Sequence, residues 1–206
     1  ALDRVLRLID YLEESGIGIA TVNLGGGLGI RYQGETPPEP AAYAEAVLEK
    51  LKDRNLDLYL EPGRAIAGNA GILLTRIDYL KHNDAKSFAV VDAAMNDLLR
   101  PALYGGWHEI LATDTVSEGR DEHLYDVVGP VCESADFLGK ERCLRIQVGD
   151  LLAVRSAGAY AFCMSSNYNA RPRACEVMVD RDKIHQIRRR ESIEELYANE
   201  SLLPDD

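Results

Sequence analysis

Apolar positions in the first seventy residues alternate between helical and strand spacing. Helical spacing occurs twice, first at Leu2, Val5, Leu6, Ile9 and Leu12, and again at Tyr43, Ala44, Val47, Leu48 and Leu51. Between and after these helices, apolar runs predict strands at 17–24 and 56–60. Helices that alternate with strands through short links indicate parallel strands, as in an α/β fold.

A different pattern begins at Gly71. The apolar runs are strand-length, and turn residues such as Gly149-Asp150 separate some of them. The predicted strands cover 72–80, 87–92, 124–128, 148–154, 158–162 and 174–179. Ser192 and Glu195 have the spacing of a capping box, which predicts a final helix over about 192–199. We therefore expect an α/β part at 1–70 and a mostly antiparallel β domain at 71–206.

Composition narrows the class of protein. The 206 residues carry a net charge of −11, which disfavours nucleic acid and anionic membranes as partners because both attract positively charged proteins. The same acidic balance favours a soluble cytoplasmic protein, and no apolar run is long enough to span a bilayer, so we expect no membrane partner. The cysteines, at 132, 143, 163 and 175, form no C-x-x-C pair, which argues against a zinc site and favours free thiols.

Two predicted strands end in loops suited to phosphate. The first strand runs into the glycines at 25–27, and the second into Glu61-Pro62-Gly63-Arg64. Each loop alone is also typical of a tight turn, but together they fit pyridoxal 5′-phosphate. Gly27 and Gly63 would offer N–H groups to its phosphate, and Arg64 would add a positive charge. Glu61 would pair with the ring nitrogen and keep it protonated, which makes the ring an electron sink.

The β half contains three further clusters. Arg100, which shares one cluster with Tyr104, could bind a substrate carboxylate through two parallel hydrogen bonds. The Cys132 thiol could deliver a proton, and the neighbouring Glu133 could hold an ammonium group. Tyr160 belongs to the third cluster, at 158–169. Taken alone, these are more often a surface arginine, a structural cysteine and an ordinary turn.

Five segments in order resemble the diaminopimelate decarboxylases: GGGLGI, EPGR, NDLLRPALY, GPVCES and GAYAFCMSSNYNARPR. These enzymes are pyridoxal-phosphate decarboxylases with an alanine-racemase-like barrel. The resemblance implies the last βα units of a (β/α)8 barrel that binds pyridoxal phosphate at 1–70, and the C-terminal β domain at 71–206. It also implies a homodimer with shared active sites, in which Cys132 and Glu133 serve the cofactor of the partner subunit.

The resemblance assigns roles to individual residues. The residues implied to bind the cofactor are Gly27, Glu61, Pro62, Gly63, Arg64 and Tyr160. Those implied to bind an amino-acid substrate are Arg64, Arg100, Tyr104, Glu133 and Tyr160, and Cys132 is implied to be the catalytic proton donor. The family's Schiff-base lysine and ring-stacking histidine match no residue here. We expect both upstream, so that this chain is roughly the C-terminal half of the enzyme and is inactive alone.

The implied reaction converts meso-2,6-diaminopimelate to L-lysine and carbon dioxide. Diaminopimelate keeps a second amino-carboxylate centre away from the bond that breaks, and Arg100 and Glu133 suit its carboxylate and its amine. An ornithine decarboxylase holds only a distal amine, and its pattern has Asp after the Cys. Two alternatives stay open: a related decarboxylase of ornithine, arginine or carboxynorspermidine, and a non-catalytic dimerising homologue. The intact Cys132-Glu133 and Glu61–Arg64 clusters argue against the second.

Overall fold

The computed structural model describes residues 2–113 and 120–203. Its first part contains helix α1 (Leu2–Glu14), strand β1 (Thr21–Asn23), helix α2 (Pro40–Leu51) and strand β2 (Asp57–Tyr59). The two strands pair in parallel, and the helices share one small core with them, whose buried members are Leu6, Ile9, Val22, Val47 and Leu51. Both predicted helices and the parallel strands are confirmed, although each strand has only three residues.

A six-stranded sheet dominates the rest of the chain. Its strands are β3 (Leu73–His82), β4 (Ser87–Val91), β5 (Ile110–Ala112), β6 (His123–Val128), β7 (Phe137–Leu144) and β8 (Leu151–Val154). Their order across the sheet is β5-β8-β3-β4-β6-β7. Within the described residues of this sheet, only β4 and β6 pair in parallel, so the mostly antiparallel β part is confirmed. The edge strands approach each other at Ile110 and Gly139, which leaves the sheet nearly closed around its apolar core.

Shorter elements complete the described chain. Helix α3 (Gly63–Ala67) follows β2, and helix α4 (Arg100–Tyr104) follows β4. Strands β9 (Glu176–Asp180) and β10 (Lys183–Arg188) form an antiparallel hairpin, and helix α5 (Ile193–Tyr197) comes last. The Ser192 N–H donates to Glu195 Oε2 at 2.8 Å, as the capping pattern predicts. Within the described residues, every helix is too short or too polar to cross a bilayer.

Close backbone contacts join the α/β part to the sheet. A Cβ added to Gly158 would lie 1.9 Å from the carbonyl oxygen of Ala67, so no larger residue fits there. Asn69 donates from Nδ2 to Ser156 Oγ at 2.7 Å. The predicted boundary between residues 70 and 71 therefore falls at a packed junction, and the division into two domains stays a prediction.

The prediction of a strand at 158–162 is wrong, and three strands were not predicted. Residues 158–162 form a turn that leads into a 3-10 turn at Phe162–Met164. Tyr160 has a φ of 59°, which a β-strand does not accommodate. The unpredicted strands are β5, β7 and β10. In β7, Gly139 and the following charged residues hide the alternation of a strand, and Glu141 interrupts it with a φ of 55°.

Candidate active site

Asn23 links the two loops that were predicted to bind phosphate. It ends β1, and its Nδ2 donates to Glu61 Oε1 at 2.7 Å, while its Oδ1 accepts the N–H of Gly25 at 2.7 Å. The Glu61 N–H donates to the carbonyl oxygen of Gly25 at 2.7 Å. Parallel neighbouring strands bring their carboxyl ends to one edge, which is why these loops meet. The structure therefore places the Glu61 carboxylate beside the glycine run, in an orientation fixed by Asn23.

The glycine run packs tightly against the second loop. A Cβ added to Gly26 would lie 2.8 Å from the backbone oxygen of Glu61. Gly27 has a φ of +93°, in the region that favours glycine. Among the described residues, no hydrogen bond uses the N–H of Gly26 or Gly27. Two available N–H groups on a surface without side chains suit a bound phosphate.

Arg64 lies in the first turn of α3, directly after this tight loop. The Gly63 N–H donates to the carbonyl oxygen of Glu61 at 2.9 Å, and Pro62 is the residue that precedes the helix. The Arg64 side chain is half-buried and has neither an ion pair nor a hydrogen bond with any described residue. A half-buried guanidinium without an anionic partner is suited to bind one from a ligand.

Arg100 begins α4 and, like Arg64 and Arg142, is a half-buried arginine without a carboxylate partner in the described part of the chain. Its Nη1 donates to the hydroxyl of Tyr32 at 2.6 Å, and its Nε is buried without a hydrogen bond to a described residue. Tyr104 ends the same helix, one turn away from Arg100, and is exposed. The two predicted substrate residues thus occupy one face of α4.

His108 lies behind this arginine and was not predicted. It is fully buried, and its Nδ1–H donates to the carbonyl oxygen of Arg155 at 2.9 Å, which leaves Nε2 as an acceptor. Its ring meets the Tyr32 ring edge-on, with centroids 5.4 Å apart. Burial lowers the pKa of His108, and the nearby charges of Arg100 and Arg142 act in the same direction. The imidazole is therefore neutral near pH 7.

Cys132 and Glu133 lie on an exposed turn after β6. The Tyr168 hydroxyl donates to Glu133 Oε2 at 3.4 Å. Asp136, nearly fully buried, supports the turn by accepting the N–H of Val131 at 2.7 Å. Burial raises the pKa of Asp136, against the effect of its hydrogen bonds. The thiol and the carboxylate of this turn are open to contact from outside the chain.

The predicted residues form separate groups within the described chain. Glu61 lies with the glycine run, and Arg100 lies with Tyr32, but no hydrogen bond among the described residues joins the Cys132-Glu133 turn to either group. Tyr160 is 46% exposed and adopts its left-handed conformation two residues after Gly158. Such a φ is rare for an aromatic residue and is concentrated at functional sites.

One sizeable cleft in the described part of the chain lies elsewhere. Its volume is about 890 Å³, and residues before β1 and β2, including Gly18, Asp53 and Asn55, line it. This is the amino end of the two strands, opposite the glycine run. It contains none of the predicted site residues, so its size carries no functional meaning here.

Comparison with known proteins places the chain in a family. Residues 8–158 match the family described as pyridoxal-dependent decarboxylase, C-terminal sheet domain. A diaminopimelate decarboxylase of Pseudomonas aeruginosa is 57% identical over an alignment of 206 positions, which covers 99% of this chain and 49% of that protein. One of Vibrio cholerae is 55% identical over 100% of this chain and 49% of its own length. The chain thus spans about half the length of the curated relatives it matches.

Solved structures of diaminopimelate decarboxylases also match nearly all of this chain with about half of their own length. The diaminopimelate decarboxylase of Helicobacter pylori, complexed with L-lysine, superimposes with a TM-score of 0.86 and 38% identity over 96% of this chain and 48% of that one. The enzyme from M. jannaschii, in co-complex with L-lysine, gives a TM-score of 0.89 and 36% identity over 97% of this chain and 47% of its own.

Proposed function

The chain belongs to the pyridoxal-dependent decarboxylases, and from this premise we propose that the protein containing it converts meso-2,6-diaminopimelate to L-lysine and carbon dioxide. The high identity to diaminopimelate decarboxylases over the whole chain supports this reaction. One structural observation carries the choice of substrate: the guanidinium of Arg100 is half-buried and lacks a carboxylate partner among the described residues. Diaminopimelate brings such a carboxylate.

The residues at the ends of β1 and β2 fit pyridoxal 5′-phosphate. The N–H groups of Gly26 and Gly27 would hold the phosphate, with Gly63 and the charge of Arg64 beside them. The Glu61 carboxylate, which already accepts a 2.7 Å hydrogen bond from Asn23 Nδ2, would accept a second one from the protonated ring nitrogen of the cofactor. When bound, the cofactor supplies a ring that accepts the electrons left by the departing carbon dioxide. Pro62 shapes this loop, and Tyr160 would contact the cofactor and the substrate.

The substrate end that does not react would be held by opposite charges. Arg100 would bind its carboxylate, with Tyr104 one turn along the helix, and Glu133 would bind its amine. Arg64 would contact the substrate as well as the phosphate. Cys132, exposed beside Glu133, would return a proton to the carbon that has lost carbon dioxide. This division of roles explains why a thiol and a carboxylate are adjacent on one exposed turn.

We further propose that two copies of the protein complete each site. The exposure of Cys132 and Glu133, and the absence of any hydrogen bond from them to the cofactor loops in the described chain, support a role in the partner's site. In this arrangement the α/β part would be the last βα units of a barrel. The lysine that anchors the cofactor would come from the rest of the protein, so the 206-residue chain alone would be inactive.

The test is turnover by the full-length protein. We expect lysine and carbon dioxide from meso-diaminopimelate, with far lower kcat/KM for ornithine, arginine and carboxynorspermidine, which offer Arg100 no distal carboxylate. Preference for one of those substrates would replace the proposal with a related decarboxylase. No turnover of any of them, together with no cofactor absorbance, would indicate a non-catalytic homologue.

A further inference from the structure

Tyr32 connects the glycine run to the predicted substrate arginine. It follows the glycine run by a few residues, yet its hydroxyl accepts a hydrogen bond from Arg100 Nη1 at 2.6 Å. The Arg100 Cζ also lies 5.0 Å from the centroid of the Tyr32 ring. One tyrosine from the α/β part therefore holds an arginine from the β part in two ways, by a hydrogen bond and by a cation–π contact.

The orientation of Arg100 depends on this contact. In the described part of the chain, the hydroxyl of Tyr32 is the one side-chain group that forms a hydrogen bond with the guanidinium. A long arginine side chain loses much of its rotamer freedom when it is fixed on a ligand. A guanidinium that is already held before the ligand arrives loses less, and its affinity for a carboxylate is correspondingly higher.

His108 in turn supports Tyr32. Its Nδ1–H is bound to the carbonyl oxygen of Arg155 at 2.9 Å, and its ring lies edge-on to the Tyr32 ring. The imidazole is fully buried, so it cannot turn away from the tyrosine without disrupting the core. Tyr32 is thus fixed on one side by a rigid neighbour and presents its hydroxyl to Arg100 on the other.

We propose that Tyr32 is a positioning residue that acts through Arg100 to select ligands with a distal carboxylate. The inference rests on the proposed function, because it assumes that Arg100 binds the unreactive end of diaminopimelate. L-Lysine, the product, keeps that amino-carboxylate end. 1,5-Diaminopentane differs from L-lysine only by lacking the carboxylate, so the two compounds form a matched pair of ligands.

The experiment measures the binding of both ligands to the full-length protein and to its Tyr32→Phe variant. The substitution keeps the ring and removes the hydroxyl, so we expect L-lysine to bind about tenfold more weakly, as for the loss of a hydrogen bond to a charged group. Binding of 1,5-diaminopentane should stay within about twofold of the wild type. Tyr79→Phe is the matched control, since Tyr79 is exposed on β3 and no hydrogen bond of the described chain involves its hydroxyl.

A second comparison keeps the test clear if Tyr32→Phe also lowers stability. In an Arg100→Gln background, Tyr32→Phe should produce no further loss of L-lysine binding, because the residue through which it acts is gone. Equal weakening of both ligands, no weakening of either, or full additivity with Arg100→Gln would overturn the role of Tyr32 while leaving decarboxylation intact. A wild-type protein that releases no lysine from diaminopimelate would overturn the proposed function and this inference with it.

Discussion

Asp136 accepts the backbone N–H of Val131, the residue directly before Cys132, at 2.7 Å. Its second oxygen accepts the N–H of Met95, also at 2.7 Å. Met95 belongs to the segment that leads into Arg100, so one carboxylate ties the turn of the predicted proton donor to the approach of the predicted substrate arginine. The side chain is only 4% exposed, and water therefore cannot replace these bonds easily.

Replacing Asp136 should consequently affect both stability and turnover. Asp136→Ala leaves the buried N–H of Val131 and the partly buried N–H of Met95 without an acceptor, and we expect the free energy of unfolding to fall by about 3 kcal/mol in urea denaturation. At a temperature where the variant is folded, kcat should fall while cofactor absorbance is retained, because the Cys132 turn is displaced. Asp182→Ala, at an exposed position between β9 and β10, is the control. A kcat equal to that of the wild type would show that Asp136 does not position Cys132.

The close contact between Gly26 and Glu61 gives a prediction for cofactor affinity. An alanine at position 26 would bring a Cβ within 2.8 Å of the Glu61 backbone oxygen, so the two loops must move apart. We expect Gly26→Ala to weaken the binding of pyridoxal phosphate about tenfold or more, as measured by titration of its absorbance.

Gly29→Ala provides the matched control for that variant, since the nearest atom to its added Cβ is Pro37 Cβ at an ordinary 3.6 Å. Its affinity for the cofactor should equal that of the wild type. If Gly26→Ala and Gly29→Ala bind pyridoxal phosphate equally well, the glycine run is a turn after β1 and not a cofactor loop.

The glycine run and the Glu61–Arg64 loop could be recognised in the sequence because the residues that define each loop are adjacent in the chain. Four consecutive residues form Glu61–Arg64, and a glycine run is visible without knowledge of the fold. Tyr32 and Asp136 are different, because their roles arise from partners 68 and 41 positions away. A single tyrosine or aspartate has no pattern that reveals such a partner. Asn23 did offer a signal, since a polar amide at the end of an apolar strand and two residues before the glycines is placed to bind both loops.

The prediction of a strand at 158–162 failed for a related reason. Tertiary packing determines the conformation at Tyr160, where the backbone near Gly158 is pressed against Ala67 and cannot continue as a strand. The apolar run at 158–162 contains no sign of that contact. Local pattern therefore predicted the strands that precede the two proposed cofactor loops, and missed the turn at 158–162, whose shape depends on the contact with Ala67.

The buried imidazole of His108 predicts a pH dependence of stability. Burial lowers its pKa from the ordinary value of 6.5, so below that pH the unfolded chain takes up a proton more readily than the folded one. The stability present above pH 6.5 is then lost as the pH falls, by at most about 1.4 kcal/mol per pH unit for one group. The stability difference between wild type and His108→Gln should therefore shrink between about pH 7 and about pH 5.

Urea denaturation of both full-length proteins at several pH values measures that difference. His185→Gln, at an exposed position of β10, controls for the removal of a histidine as such. A difference that stays constant with pH would mean that His108 carries the same charge in both states, which contradicts its assignment as a neutral partner of Tyr32.

The proposal that two subunits share each active site predicts complementation between two inactive variants. Arg64→Ala would remove the positive charge at the proposed cofactor loop, and Cys132→Ala would remove the proposed proton donor, so each homodimer would have two defective sites. We expect turnover at least about a hundredfold below the wild type for each, with cofactor still bound by Cys132→Ala. In a mixed dimer the Cys132→Ala subunit supplies an intact Arg64 and its partner supplies an intact Cys132, which together restore one site of two.

Random mixing makes about half of the dimers mixed, so the recovered turnover should approach about a quarter of the wild-type value. The two proteins are unfolded and refolded together, and each is also refolded alone as the control. A double variant that carries Arg64→Ala and Cys132→Ala in the same chain is a further control. Mixed with either single variant, it should recover no turnover, because no site then has both groups. If mixed dimers form in the expected amount but stay inactive, Arg64 and Cys132 serve the site of the same subunit. The exposed Cys132 turn would then need to reach the proposed cofactor loops of its own chain.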